Sequence, residues 1–396
     1  MRIALYHNLP RGGALRFLRE VVRRSAGIHD YHQYRVVDPT GNIEPPDIVT
    51  QRRDSVTDVH HRWHWPSAPS PLANVRKALE LTALRDAEAR IARAIDAGGY
   101  DLCFVNSCRV THSPSLLSRV HTPTLYFAQE PRRQTFEWQL RRNMYGISPR
   151  AGHKMMIHLE DTVLAVADRH AARAATVLAC NSMFTAEALY WAYARTATVV
   201  PLGVDPECFR PTSTSRGDYV LSVGALDPVK GFATVIEALA LMPAGRRPAL
   251  KLAFAQGRPG YESSILELAK RRGVRVELCQ GIADNQLVDL YSSALATICA
   301  ARLEPFGLTP LESLCCGTPV VAINEGGYRE TISHGCNGVL VSPTHEGLAR
   351  GVEAVFAGRL TSDRAELRAS VAERTWDRTV ERLHELYQRI PAADGP

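Results

Sequence analysis

The residues best suited to chemistry lie between Ala301 and Glu330, in ARLEPFGLTPLESLCCGTPVVAINEGGYRE. Two acids, Glu304 and Glu312, stand on either side of a Phe306-Gly307 turn. A helix is predicted directly after that turn. Thr309 fits the N-cap, Pro310 the first helical position, and Glu312, three residues past the cap, can complete a capping box. Gly317 suits the helix end. Pro319 to Ile323 reads as a buried strand and Asn324 to Gly327 as the turn beyond it. A loop entering a helix N-terminus presents unpaired N–H groups and the positive end of a dipole, which together suit a phosphate or diphosphate. One acid precedes that anion site and the other lies just inside the helix.

The elements that must hold this site repeat one pattern. A chain of 396 residues exceeds a single ordinary core and suits two domains, and 45% apolar with 22% charged residues excludes a disordered chain. Strand RIALYHN is followed by a loop with Gly12-Gly13 and then by ALRFLREVVRR, with Leu15, Leu18, Val21 and Val22 at helical spacing. His29 to Val37 suits a second strand, and the proline-rich stretch 39 to 71 reads as irregular. A helix over Asn74 to Ala97, strands over 100 to 106, 122 to 128 and 176 to 182, and helices near Ser115 to Val120, His153 to Ala175 and Thr185 to Tyr193 complete the first half. The pattern breaks at TVVPLGVDPECFRPTSTSRG, the expected boundary. It then restarts with strands YVLSVG, LKLAFA, VRVELC and ATICA, separated by helices over Phe232 to Leu241, Glu262 to Arg272 and Asn285 to Ser292. Strand and helix in alternation imply parallel sheets with ligands at the carboxyl ends of strands. Two such domains imply a cleft between them.

Residues 1 to 200 hold 26 Lys and Arg against 18 Asp and Glu, and the remainder 21 against 23. The pairs Arg23-Arg24, Arg132-Arg133 and Arg141-Arg142 add to the basic half. Such a face suits anionic lipid headgroups or an anionic acceptor, and suits solvated helix faces equally well. Nucleic acid is not expected, because no binding module accompanies the charge. The nine cysteines show no Cys-x-x-Cys spacing and read as reduced and mostly buried. A strand beginning almost at Met1 leaves no room for a leader, and no run reaches the length of a spanning helix. A cytoplasmic protein is expected, with contact at a membrane surface as the variant the basic half allows. The cluster His60, His61, Trp63, His64 and Trp65 invites a metal, but adjacent histidines have no acidic or sulfur partner at suitable spacing, so a loop rim is the simpler reading.

The second half resembles the nucleotide-sugar domain of the family 4 retaining glycosyltransferases, which share the GT-B fold of two Rossmann-like domains facing each other across a cleft. The matching segments are VVPLGVDPECFRP, VLSVGALDPVKGF, ELCQGIADNQLVDLY, EPFGLTPLESLCCGTPVVAINEGGYRE, NGVLV and a terminal helix with Trp376 and Tyr387. The first half matches in architecture, in its glycine loop and in QEPRR at 129 to 133. The resemblance implies an N-terminal acceptor-side domain over 1–198, a nucleotide-sugar domain over 199–376 and a terminal helix, 377–396, packed back on the first domain. By the same resemblance Glu304 contacts donor-sugar hydroxyls, and Phe306, Gly307 and Leu308 form the loop whose N–H groups meet the diphosphate. Glu312 holds the ribose, Lys230 neutralises the leaving diphosphate, Ile282 lies at the base, and Gly13 belongs to the glycine loop. Gln129 and Arg132 fall on the acceptor side. The implied reaction is metal-independent and cofactor-free, and moves a sugar with retention from a nucleotide-diphosphate sugar, UDP being slightly favoured, to the hydroxyl of a sugar or lipid-linked acceptor.

Two positions depart from the family pattern. Gly224-Ala225-Leu226 stands where members usually carry Gly-Arg-Leu, and Gln129 where many carry His. A charge-assisted hydrogen bond contributes about 1.5 to 3 kcal/mol, so an uncompensated loss at Ala225 slows turnover roughly 10 to 100-fold. Arg11 and Arg258 are the candidates to replace that cation. Gln129 can donate and accept hydrogen bonds but cannot titrate. These departures keep open a sugar-nucleotide-binding protein with impaired catalysis, and the fold keeps open a phosphorylase or an epimerase.

Overall fold

A computed structural model describes residues 1–9, 12–37, 48, 56–60, 71–133, 151–213, 215–360 and 363–391. The chain divides into two compact units. One comprises Met1–Asn181, Thr185–Val200 and Thr379–Pro396, the other Ser182–Phe184 and Pro201–Arg378.

The first unit is built on seven parallel strands: β1 (Arg2–His7), β2 (Asp30–Val37), β3 (Val56–His60), β4 (Leu102–Asn106), β5 (Thr124–Ala128), β6 (Val177–Cys180) and β7 (Thr198–Val199). Their order is β3-β2-β1-β4-β5-β6-β7. Every residue of β4 and β5 is buried, as expected of parallel strands covered on both faces. Helices α1 (Gly13–Arg24), α2 (Pro71–Ala97), α3 (Ala151–Ala174) and α4 (Met183–Tyr193) connect the strands. On α2 the buried Leu84, Ala87, Ile91 and Ile95 recur at three and four residues and pack on the sheet with Tyr6, Cys103, Val105 and Tyr126. The opposite face carries Phe17 of α1 against Phe127, ring centroids 4.3 Å apart.

The terminal helix Trp376–Arg389 shares that face. Its buried Val380, Leu383, Tyr387 and Ile390 recur at helical spacing. Tyr387 meets Phe104 with centroids 5.8 Å apart, His384 meets His29 at 4.5 Å, and His384 Nε2 lies 2.9 Å from Ser25 Oγ.

Six further parallel strands form the second sheet: β8 (Tyr219–Val223), β9 (Ala249–Phe254), β10 (Val276–Gln280), β11 (Thr297–Cys299), β12 (Val320–Ile323) and β13 (Gly338–Val341). Their order is β10-β9-β8-β11-β12-β13. The helices are α5 (Phe232–Ala240), α6 (Tyr261–Arg272), α7 (Asp284–Ser293), α8 (Leu308–Cys315), α9 (Tyr328–Thr331), α10 (His345–Phe356) and α11 (Arg364–Ala369), with the terminal helix as α12. Strand order reverses between β1 and β4 in one sheet and between β8 and β11 in the other. Such reversals are the points where open α/β sheets bind ligands.

Several expectations need correction. The stretch 39 to 71 contains the edge strand β3, where Asp58 pairs with Arg35 of β2; Ile48 is buried, and most of the remainder, including His61 to Trp65, lies outside the described residues. Ser115–Ser118 is a single 3-10 turn. Buried Glu88 sets its position by accepting from Ser115 N at 2.7 Å, Ser115 Oγ at 2.5 Å and Tyr6 Oη at 2.8 Å. Among the described residues the Arg-Arg pairs are engaged by acids. Arg23 and Arg24 both engage Glu20, and Arg133 engages Glu130. Arg132 is buried against Asp161 at 3.0 Å, and Arg141-Arg142 lies outside the described residues. Among the cysteines, Cys208 and Cys336 are exposed. Among the described residues no helix is long and apolar enough to cross a membrane.

The first unit should be acid-labile. Burial holds His7 at about 3 and His112 at about 4, and burial together with His384 holds His29 at about 4. Between the ordinary histidine value near 6.5 and these lowered values the unfolded chain binds more protons, so stability falls with falling pH. Glu88 and Asp168, raised by burial, act in the opposite sense. The three histidines act together between about pH 6.5 and 5. The unfolding midpoint should drop by about 5 °C or more over that window, and His29→Leu should reduce the drop. Circular-dichroism melts at stepped pH check both, and a flat profile contradicts the assignment.

Candidate functional site

The site forms where loops leave the two strands that flank the reversal in the second sheet. After β8 the chain runs through Gly224, exposed Ala225 and buried Leu226 to a 3-10 turn, Pro228–Lys230. Asp227 caps that turn by accepting from Val229 N at 3.1 Å. Gly231 then takes a left-handed conformation, φ 74°, with its Cα so close to the β11 loop that a Cβ would lie 2.3 Å from the Ala300 carbonyl oxygen. Only glycine permits both the conformation and the approach. The loop after β11 passes through Leu303, whose φ of 49° is unusual for a residue with a side chain, and reaches Glu304. Its backbone is fixed from behind: Gly327 N donates to the Glu304 carbonyl at 2.8 Å, and a Cβ on Gly326 would sit 2.4 Å from the same oxygen.

These constraints bring Lys230 and Glu304 together. Lys230 Nζ lies 2.9 Å from Glu304 Oε2 and 3.2 Å from Oε1, and the two side chains are 30% and 20% exposed. The pair is therefore shielded from water but reachable.

Beside it stands α8. The helix begins at Leu308 with left-handed Gly307 as N-cap and no capping side chain, so the Thr309 cap and the capping box are not formed. The turn available to Gly307 starts the helix before Thr309 is reached. Glu312 is instead buried inside the unit, where its Oε2 accepts from Tyr291 Oη at 2.8 Å. Burial, and then the charge of Glu312, push the Tyr291 hydroxyl well above its ordinary value, so it stays a donor. The opposite end of α8 is ringed by cations. Arg368 Nη1 donates to Cys315 O at 3.0 Å, Arg364 Nη1 to Cys316 O at 3.3 Å and Arg216 Nη2 to Gly317 O at 2.7 Å. Negative carbonyls are thus satisfied at one end while the N–H end is left to Gly307, Leu308 and buried Phe306.

The other residues singled out in the sequence are spread more widely. Ile282 is half-buried in the turn between β10 and α7, after left-handed Gly281. Arg258 follows β9 on a segment bridged to the β8 loop, with Arg258 N donating to Leu226 O at 2.9 Å; Arg11 lies outside the described residues. In the first unit, Gly13 is the first residue of α1. Gln129 follows β5, with its carbonyl and Oε1 both accepting from Asn181 Nδ2, at 3.0 and 3.1 Å. Sequence reading missed Tyr291 and the three arginines behind α8, because their link to the site is tertiary. It read Gly326-Gly327 as a turn but not as the wall behind Glu304.

Two doubly wound parallel sheets with a helix-end loop at the reversal place the molecule among the two-Rossmann glycosyltransferase folds. Solved structures with this fold include HepE of Anabaena in complex with UDP, with TM-score 0.73, 18% identity, and 98% of this chain and 100% of that chain covered. Sucrose-phosphate synthase of Thermosynechococcus elongatus gives 0.67, 20%, 98% and 98%. Residues 207–375 match the family model described as glycosyl transferases group 1. Among the chain's relatives, the D-inositol 3-phosphate glycosyltransferase of Acidothermus cellulolyticus is 35% identical over 229 residues, covering 50% of this chain and 49% of that protein. The mannosylfructose-phosphate synthase of Agrobacterium fabrum is 30% identical over 165 residues, covering 37% and 36%. The alignments span about half or less of these relatives.

Gly326→Ala tests the wall behind Glu304. With a Cβ 2.4 Å from the Glu304 carbonyl and 2.8 Å from its nitrogen, backbone must shift, at a cost of about 1 to 3 kcal/mol. A lower unfolding midpoint is expected together with loss of any ligand-induced thermal shift. A variant that melts and binds like the parent would show that the contact does not hold Glu304.

Proposed function

We propose that the protein is a glycosyltransferase that moves a sugar from a nucleotide-diphosphate sugar to an acceptor hydroxyl, with retention of anomeric configuration and without a metal. The observation that carries this reading is the Lys230–Glu304 pair, 2.9 Å apart, beside the uncapped N-terminus of α8 at the strand-order reversal. An ammonium and a set of N–H groups stabilise the charge that develops on a departing diphosphate, and a carboxylate at the same place can accept hydrogen bonds from sugar hydroxyls. Glu304 and Lys230 would act at the reacting centre. Gly307 and Leu308 would bind the diphosphate, with buried Phe306 shaping that loop. Glu312, seated by Tyr291, would take the ribose hydroxyls, and Ile282 would take the base. UDP is the favoured nucleotide, a choice supported by the UDP complex of HepE, whose fold this chain shares. On the acceptor side Gln129 remains a hydrogen-bonding candidate, whereas Arg132 is committed to Asp161 and would serve only to hold its loop.

A second reading, a sugar-nucleotide-binding protein with impaired catalysis, is favoured by Ala225, which leaves the β8 loop without a cation at that position. One experiment separates the two. Incubation with a panel of nucleotide sugars, scored by thermal shift, donor hydrolysis and transfer to a panel of sugar acceptors, should show stabilisation by at least one donor together with turnover. Stabilisation without turnover selects the second reading, and no stabilisation by any donor removes both. Glu304→Gln should leave the fold intact and lower transfer at least about tenfold, as the loss of one charge-assisted contact implies; full activity in that variant would take Glu304 out of the reacting centre.

A further inference from the structure

We infer that Glu330 is a positioning residue for the donor loop, acting through the segment Ser182–Phe184. The inference rests on the donor chemistry proposed above. That segment belongs to the second unit. Met183 and Phe184 are the first residues of a helix, and the first N–H groups of a helix have no partner within it. Glu330 supplies one. Its Oε2 accepts from Met183 N and its Oε1 from Phe184 N, both at 2.9 Å. A carboxylate that uses both oxygens on two adjacent amides is fixed in orientation as well as in place. The neighbouring residue carries that constraint to the site. Ser182, fully buried, donates from Oγ to the Pro305 carbonyl at 2.5 Å, and Pro305 stands between Glu304 and Phe306.

Glu330 reaches the same loop from its other side. It lies in α9, where Glu330 N donates to Gly327 O at 3.0 Å, and Arg374 Nη2 holds the Glu330 carbonyl at 3.0 Å. Gly327 N donates in turn to the Glu304 carbonyl, and a Cβ on Gly327 would lie 2.6 Å from the Pro305 oxygen. Two successive carbonyls of the loop are thus held, Glu304 by Gly327 and Pro305 by Ser182. Glu330 joins the two holders and closes a ring of covalent and hydrogen bonds. The fixed φ of proline leaves little rotation between the held carbonyls. Glu304 precedes this stretch and Phe306-Gly307 follows it, so a slack ring displaces the proposed sugar and diphosphate contacts together.

The test uses the full chain, with calorimetric titration of UDP-glucose on the parent, Ser182→Ala, Glu330→Gln and the double variant, at a temperature where circular dichroism shows each folded. The best-stabilising donor of the panel replaces UDP-glucose should the parent not bind it. Glu330→Gln keeps the size of the side chain but turns an N–H donor towards one of the two amides. It should bind the donor about three- to tenfold more weakly, the range that one weakened hydrogen-bonded contact carries. Ser182→Ala should weaken binding to a similar degree. Because both substitutions act on one carbonyl, the double variant should bind no more than about twofold more weakly than the weaker single variant. A residue that only stabilises the fold would leave the affinity of the folded protein unchanged. Parent-like affinity in Glu330→Gln overturns the inference, as does a double variant in which the two losses multiply. Should Glu330→Gln fail to fold, Ser182→Ala decides alone, and parent-like affinity there overturns the inference. If the parent binds no donor of the panel, the donor reading falls and takes this inference with it. Donor binding that neither substitution alters removes this inference alone.

Discussion

Lys230 and Glu304 meet because two loops from neighbouring strands are pressed together where the order of the sheet reverses. At that point the connections after β8 and β11 leave in opposite directions, which opens a notch beyond the strand ends. The notch alone does not make a pair. Gly231 must lie against Ala300, where a Cβ would come within 2.3 Å of a carbonyl oxygen, and Leu303 must hold a left-handed backbone, φ 49°. Strain of this kind persists only where the surroundings over-determine it. Here the Gly326-Gly327 segment supplies the opposing wall through the bond from Gly327 to the Glu304 carbonyl. The ion pair is the visible result of backbone packing set by these glycines.

The helix beside the pair is polarised to match. Three guanidinium groups, from Arg216, Arg364 and Arg368, occupy its C-terminal carbonyls, and they come from distant parts of the chain. Arg368 also donates to Pro206 O and Phe209 O, so the segment entering the second unit is tied to the same helix end. An anion at the N-terminus and cations at the C-terminus are each favourable to a helix. The tethering fixes the C-terminal end of α8 to the segment entering the second unit.

How much of this was legible in the sequence follows from how local each cause is. Alternating apolar strands and helices at three- and four-residue spacing gave most strands of both sheets to within a few residues, and Gly317 was placed at its helix end by turn chemistry. The start of α8 was misplaced because Thr309 and Glu312 form a plausible local cap, and tertiary context overrode it. Tyr291 claims the Glu312 carboxylate from a helix 21 residues earlier in the chain, and Gly307 can turn where threonine cannot. Likewise the arginine pairs looked like a basic face by composition, while Glu20, Glu130 and Asp161 engage four of those arginines. β3 was hidden in a proline-rich stretch because an edge strand of five residues carries little periodic signal.

The strengths of the individual contacts decide what the site still requires. A helix N-terminus contributes about 0.3 to 1 kcal/mol to an anion held there, whereas one charge-assisted hydrogen bond contributes about 1.5 to 3 kcal/mol. On the proposed donor chemistry Lys230 outweighs the helix end, and a cation at position 225 would add more than α8 supplies. Compensation has to come from a second charge rather than from a better dipole. Of the two arginines the sequence offers, Arg258 is carried by the segment bridged to Leu226, the residue after Ala225, through Arg258 N to Leu226 O and Leu226 N to Gln256 O at 2.9 and 2.8 Å. Ala225 itself is exposed, so neither packing nor burial explains why the position lacks a long cationic side chain. On the proposed donor chemistry Arg258 is the candidate second charge, because its backbone is bridged to the β8 loop.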